Sequence, residues 1–201
     1  LEESSQYLSG LLLASPLAKG PLDILVTGQK AVSWPYVAVT LAAMRDCGVP
    51  VVVETRRGET WVVTDPAAVT TAEPGRLRFL CRPGRYLPGT RQVEGDWSNA
   101  SYFLAAGALG ARPVRVENLR RDSAQGDTAM VDILGRMGAR LTQDADSVTV
   151  FPSPLSGITV DMGPCPDLVP TIAAAAAQAG GPTTIKNVAH LRIKESDRLA
   201  A

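Results

Sequence analysis

The sequence predicts a mixed α/β (α+β) fold made of repeated βαβαββ units, and three observations predict it. The order helix, strand, helix, strand, strand runs over residues 4–63, returns over 98–151, and begins a third time at Asp167. Leu41-Ala42-Ala43-Met44-Arg45-Asp46-Cys47-Gly48-Val49 parallels Val131-Asp132-Ile133-Leu134-Gly135-Arg136-Met137-Gly138-Ala139. Val116-Glu117-Asn118-Leu119 likewise parallels Ile185-Lys186-Asn187-Val188.

The elements follow in order. Residues 4–17 are small and apolar with few charges, the composition of a buried helix, opened by a Ser-Ser pair and ended at Lys19-Gly20-Pro21. Residues 22–26 read as a strand. Ser33-Trp34-Pro35-Tyr36 opens a second helix, with Pro35 in the first turn where it is tolerated, apolar residues at Val37, Leu41 and Met44, and Gly48 as the stop. Residues 49–53 and 60–63 form a strand pair joined through Arg56-Arg57-Gly58. The Pro- and Gly-rich stretch 64–90 breaks the pattern, with residues 77–81 a candidate further strand, and a domain boundary is expected at its end. This gives 1–92 as part of a first domain and 93–201 as part of a second. In the second round, 98–109 is a helix, 114–117 a strand, 128–137 a helix, and 139–142 with 148–151 a strand pair turned at Asp144-Ala145-Asp146. The third round offers a helix over 167–179, a strand over 183–188, and a helix starting at Glu195 or Ser196.

Composition narrows the function classes. At 201 residues with 45% apolar content the chain builds a real core. Twenty basic and twenty acidic residues cancel, so no global field draws it to nucleic acid or an anionic membrane. Cys47, Cys81 and Cys165 are widely spaced and odd in number, which argues against a disulfide framework or a zinc site and for a reducing cytoplasm. The apolar runs fall short of the roughly 20 residues of a membrane span. Leu1 in place of an initiator methionine, and a last helix only begun at Ala201, are expected of a fragment.

The candidate chemistry lies at polar corners in front of apolar segments. Arg192-Ile193-Lys194-Glu195-Ser196-Asp197-Arg198 follows an apolar run and mixes both charge signs, which suits binding an anion while moving a proton; a solvated helix start has the same composition. Ser4, Ser5 and Gln6 offer two hydroxyls and an amide at a helix N-terminus, a cradle for phosphate or carboxylate, or plain caps. Ser33 and Tyr36 stand at the next helix start, and Asp167 precedes an almost all-alanine helix that it would equally well cap. His190 is the only histidine, and no G-x-S-x-G or G-x-x-x-x-G-K motif accompanies it.

These segments resemble the 5-enolpyruvylshikimate-3-phosphate synthase family, in order along the chain. Ser4-Ser5-Gln6-Tyr7-Leu8 is similar to its S-[SA]-Q-[FY]-[LV], Ser33-Trp34-Pro35-Tyr36 to its S-x-P-Y, and Val93-Glu94-Gly95-Asp96-Trp97-Ser98 to its V-E-[GP]-D-x-S. Pro166-Asp167 matches a P-D before the buried helix, and Arg192 to Arg198 matches R-[IV]-K-E-[ST]-D-R. Trp34 stands where the family is often basic. The resemblance implies two domains of three repeats, helices inside sheets and a cleft between domains. It also implies transfer of the enolpyruvyl group of phosphoenolpyruvate to the 5-hydroxyl of shikimate-3-phosphate, with no metal or organic cofactor.

By the same resemblance Ser4 and Ser5 hold the 3-phosphate, Gln6 lies between it and phosphoenolpyruvate, Ser33 donates to a substrate phosphate, and the Tyr36 ring lies against the shikimate ring. Asp167 contacts hydroxyls and handles a proton, and Lys194 hydrogen-bonds the attacking hydroxyl. Glu195 exchanges the proton at the methylene, and Arg198 pairs with the phosphate or carboxylate of phosphoenolpyruvate. His190 stands where a substrate-contacting asparagine is common. Family residues outside these segments are absent, so the remaining parts of a parent chain are expected partners. The alternatives are a relative of UDP-N-acetylglucosamine enolpyruvyl transferase and a non-catalytic repeat module.

Overall fold

The computed structural model describes residues 4–28, 34–69, 72–194 and 196–200. Contacts divide the chain into two units, Leu1–Arg91 and Gln92–Ala201.

In the first unit α1 (Gln6–Ala14) runs on as a 3-10 turn over Ser15–Leu17, followed by β1 (Leu22–Leu25). The next helix, α2 (Trp34–Asp46), buries Trp34, Val37, Leu41 and Met44, three and four residues apart and so on one face. Then come β2 (Val52–Arg57), β3 (Thr60–Val63) and β4 (Leu77–Cys81). They form an antiparallel sheet in the order β1-β4-β2-β3. The core lies between helices and sheet: Leu12, Met44, Leu77 and Phe79 are fully buried. Trp34 stacks on Phe79 with centroids 6.3 Å apart, so it is a core ring.

The second unit repeats the plan. It contains α3 (Trp97–Leu109), β5 (Val114–Glu117), α4 (Ala129–Arg136), β6 (Arg140–Gln143) and β7 (Ser147–Phe151), the strands in antiparallel order β5-β7-β6. A third round follows with β8 (Thr159–Asp161), α5 (Val169–Ala177) and β9 (Thr184–Lys186), β8 and β9 pairing in parallel. Trp97 is fully buried, and among the described residues its indole N–H has no partner. An orphaned donor costs about 1–3 kcal/mol. A buried Trp removes roughly 150–250 Å² from water, worth about 4–6 kcal/mol at ~25 cal/mol per Å², so the ring stays inside.

The repeat extends to the backbone. Both α2 and α4 end in the same motif: Val49 N–H donates to Met44 O (3.0 Å) and Gly48 N–H to Arg45 O (3.0 Å), as Ala139 N–H does to Leu134 O (2.9 Å) and Gly138 N–H to Gly135 O (3.0 Å). Gly48 and Gly138 have φ of 82° and 97°, the left-handed turn this motif requires. Asn118 and Asn187 share another left-handed position, with φ of 61° and 60°.

The sequence-based expectations need correcting in several places. The strand matching β7 in the sequence repeat is β3, yet β7 sits between β5 and β6 whereas β3 lies at a sheet edge. The equivalent central place belongs to β4, out of the stretch expected to break the pattern. Leu77, Phe79 and Cys81 are buried at alternate positions, so β4 is fit for the middle, while Val63 of β3 is left exposed. β8 was not foreseen. Ser196 does not cap the last turn. Asp197 does, accepting the N–H groups of Leu199 (3.0 Å) and Ala200 (3.1 Å), and one turn over Arg198–Ala200 is what the described residues contain.

In each unit the helices run the same way. Gly84 N–H donates to Pro16 O (2.9 Å), the Tyr86 hydroxyl to Leu13 O (2.8 Å) and Leu87 N–H to Cys47 O (2.9 Å), so one segment fastens the C-terminal ends of α1 and α2. In the second unit Ser153 N–H donates to Ala108 O and Ser156 N–H to Met137 O, while Gly180, just past α5, donates to Leu155 O. The first turns of the helices are thereby gathered at the opposite end of each unit.

Gly107 lets α3 lie this close to its sheet. A Cβ there would stand 2.9 Å from the Val150 carbonyl oxygen and 3.1 Å from the Val114 Cβ. Overpacking typically costs about 1–3 kcal/mol, against about 1 kcal/mol gained in helix propensity. Gly107→Ala is expected to lower the thermal midpoint of the chain; a rise would disprove the close contact.

Candidate functional site

The predicted residues fall into two groups, one in each unit. In the first, Ser4 Oγ accepts the Gln6 N–H at 3.2 Å, while Ser5 is buried, 4% exposed, and its side chain makes no capping hydrogen bond. Ser5 O instead begins the helix ladder by accepting Ser9 N–H at 3.1 Å. Gln6 is exposed. Tyr36 lies half-buried in the first turn of α2, whose Thr40 Oγ1 is 2.9 Å from both the Tyr36 carbonyl and Ser9 Oγ. That contact joins α1 and α2 one turn in from Ser5 and Tyr36, so the Ser4–Gln6 corner and Tyr36 share one end of the unit. Neither helix has an acidic residue in its first turn. The partial positive charge of these helix starts is therefore not cancelled from within, which suits an anion. Ser33 lies outside the described residues.

The start of α3 is different. Asp96 accepts the N–H groups of Ser98 (2.8 Å) and Asn99 (3.3 Å), which closes that helix end with the protein's own carboxylate. Gln125 bridges it to the next segment, its Oε1 accepting Trp97 N–H and its Nε2 donating to Gly95 O, both at 2.9 Å. Ser123 Oγ donates to Glu94 Oε1 at 3.0 Å.

In the second unit Asp167 lies in a 3-10 turn over Pro166–Leu168 leading into α5, and caps neither. Its Oδ1 accepts from Arg198 Nη1 at 3.0 Å, which joins two residues that the sequence reading singled out separately. Both are half-buried, so this charge-assisted bond is held partly out of water. His190 is buried, 8% exposed, within the 3-10 turn Ala189–Ile193. Lys194 follows in extended backbone, and among the described residues no hydrogen bond or ion pair holds its ammonium. Glu195 lies outside the described residues.

Asp127 escaped the sequence reading, which also gave no role of their own to Asp197 and Arg192 within the charged segment it singled out. Asp127, at the start of the segment leading into α4, is only 3% exposed. Asp197 joins Arg192 at 2.9 Å. Burial works to raise the Asp197 carboxyl, but the Leu199 N–H, the Arg192 guanidinium and the Ala200 N–H together hold it below the usual range. The available signals were an acid following Gly126 just before a helix, and opposite charges five residues apart. Among the described residues no group of three or more His, Cys, Asp or Glu is arranged to hold a metal ion, and no helix is long and apolar enough to cross a membrane. A shallow groove beside β5, lined by Phe103, Val114, Arg115, Val116 and Glu117, contains none of the predicted site residues.

A family model described as EPSP synthase (3-phosphoshikimate 1-carboxyvinyltransferase) matches residues 1–201. The chain is 42% identical to the 3-phosphoshikimate 1-carboxyvinyltransferase of Actinobacillus pleuropneumoniae serotype 5b over 98% of its own length and 41% of that protein's. It is 43% identical to the enzyme of that name from Methanosphaerula palustris over 98% and 42%. It thus spans about two fifths of the length of these relatives. Among solved structures it is similar to an EPSP synthase from Acinetobacter baumannii (TM-score 0.68, 26% identity, 98% of this chain and 41% of that one). It is also similar to the enolpyruvyl transferase NikO from Streptomyces tendae (TM-score 0.58, 25% identity, 87% and 37%).

Cys165, which directly precedes the Pro166-Asp167 turn, yields a test of burial at this corner. Desolvation first, then the carboxylates of Asp127 and Asp161, push its thiol up to about 12. A raised folded pKa leaves stability intact below the ordinary value of 9.0 and drains it as pH rises from there toward about 12. Thermal midpoints measured across that range are expected to fall less steeply in Cys165→Ala than in the parent. At pH 8 the native Cys165 is expected to alkylate about a thousandfold more slowly than an ordinary thiol.

Proposed function

The chain belongs to the EPSP synthase (3-phosphoshikimate 1-carboxyvinyltransferase) family, and from that premise we propose that it is a segment of an enolpyruvyl transferase contributing residues to both substrates. Residues 1–92 then belong to a first domain of such an enzyme and 93–201 to a second. The reaction is addition of the 5-hydroxyl of shikimate-3-phosphate to the enol carbon of phosphoenolpyruvate while the methylene takes a proton. The resulting tetrahedral ketal phosphate then loses a methyl proton and phosphate to leave the enolpyruvyl ether. Both substrates are anionic and the addition passes through cationic character at the enol carbon, so interleaved cations and carboxylates are what the chemistry demands.

In this reading Ser4 and Ser5 take the 3-phosphate at the start of α1, whose first turn has no acidic residue, Gln6 reaches toward phosphoenolpyruvate, and Tyr36 offers its ring to the carbocycle. Ser33 adds a donor to phosphate. Asp167 accepts from a substrate hydroxyl and carries a proton, and Lys194 holds the attacking hydroxyl. Glu195 exchanges the proton at the methylene. Arg198 receives the phosphate or carboxylate of phosphoenolpyruvate, for which its planar donor pair is suited, and His190 takes the place where a substrate-contacting asparagine is common in the family. The observation that most supports the reading is the 3.0 Å contact of Asp167 with Arg198, two motif residues from distant stretches meeting before α5.

Titration with shikimate-3-phosphate tests it. Losing one hydrogen bond to a charged group costs about 1.5–3 kcal/mol, about tenfold or more in affinity. Weak binding that drops by that factor in Ser4→Ala or Ser5→Ala is expected, and no binding, or binding indifferent to both changes, would count against the reading. In a coupled assay of phosphate release the 201 residues alone are expected to show little or no turnover, because family residues outside these segments are missing. Turnover at the rate of a complete transferase would refute that expectation.

A further inference from the structure

We propose that Asp197 is a positioning residue for the transferase reaction, fixing the loop that presents Lys194 without touching substrate itself. This rests on the reading of Lys194 as a substrate contact. The loop leaves the core at Leu191, which is fully buried, and comes back at Arg198, whose N–H donates to Leu191 O at 3.2 Å. Inside that neck Asp197 makes three bonds. Its Oδ2 accepts from Arg192 Nη1 at 2.9 Å, and its Oδ1 accepts the N–H groups of Leu199 (3.0 Å) and Ala200 (3.1 Å). The carboxylate thus ties the outgoing strand of the loop to the returning one, with Lys194 between. It also sets the turn from which Arg198 reaches Asp167.

Lys194 has no bond of its own to hold it among the described residues, and a long ammonium side chain is useful in a reaction only if its backbone is fixed. The hydrogen bonds keep the Asp197 carboxyl acidic, so it remains ionised at neutral pH. The Arg192 and Asp197 side chains are 57% and 38% exposed, and exposed pairs add little to global stability. Their removal therefore separates activity from folding.

The test uses the chain joined to the remaining segments that its relatives carry, with steady-state kinetics and thermal midpoints for each variant. Asp197→Ala is expected to lower kcat/KM by about tenfold to a hundredfold, chiefly in kcat, with the midpoint nearly unchanged. Asp197→Asn keeps an acceptor for the two amides but loses the charge facing Arg192, and is expected to fall less. Arg192→Ala should match Asp197→Asn, and the two together should add nothing, as one shared contact requires. An active parent whose Asp197→Ala variant keeps full kcat/KM, or loses activity only in step with its midpoint, overturns the assignment of Asp197 alone. A joined chain that binds both substrates yet releases no phosphate overturns the transferase reading, and this inference with it.

Discussion

The feature on which the rest depends is that the helices of each unit point the same way, their C-terminal ends held by shared backbone straps. Like helix ends side by side repel, and packing has to offset it. Small residues supply the packing: Ala100, Ser101, Ala105, Gly107 and Ala108 bring α3 against β5 and β7 on one side, and Ser101 Oγ to within 2.9 Å of Thr171 Oγ1 on the other. Straps across the C-terminal ends then fix the direction. Where a helix start carries its own carboxylate, as Asp96 does for α3, the positive end is used up internally. Where the first turn carries none, as in α1 and α2, the helix itself supplies no carboxylate against an anion.

The corner at the start of α5 works on the same electrostatics with more parts. The turn Pro166–Leu168 leads into α5 without a cap from the side chain of Cys165 or Leu168, and the Asp167 carboxylate meets Arg198. Asp127 and Cys165 are buried nearby, and the thiol is held neutral by burial first and then by the carboxylates of Asp127 and Asp161. The charges of Asp167 and Arg198 balance each other, which allows the pair to be only partly hydrated without a large penalty.

Comparing the repeats separates what is required from what is tolerated. The left-handed glycines after α2 and α4 and the left-handed asparagines after β5 and β9 recur because a chain leaving a helix or strand in the same direction needs the same backbone geometry. Strand placement is looser. β7 and β4 both reach the centre of their sheets, one straight out of a hairpin and the other after a long detour, since a central place asks only for alternating apolar residues and unblocked backbone groups.

Read alone, the residues determined what is local: helix faces from the spacing of Val37, Leu41 and Met44, stops from Gly48 and Gly138, the turn at Asp144-Ala145-Asp146, the repeat itself, and the motif residues that carry the family. Each depends on neighbours within a few positions, so the sequence displays it directly. Only the tertiary structure decided that β4 displaces β3 from the centre of its sheet, that Asp167 pairs with Arg198 instead of capping α5, that Trp34 belongs to the core, and that Asp197 closes the loop around Lys194. These outcomes come from competition among groups far apart in the chain for the same partner or the same space. A pattern of spacing records which groups are able to compete, and their arrangement in three dimensions settles which prevails.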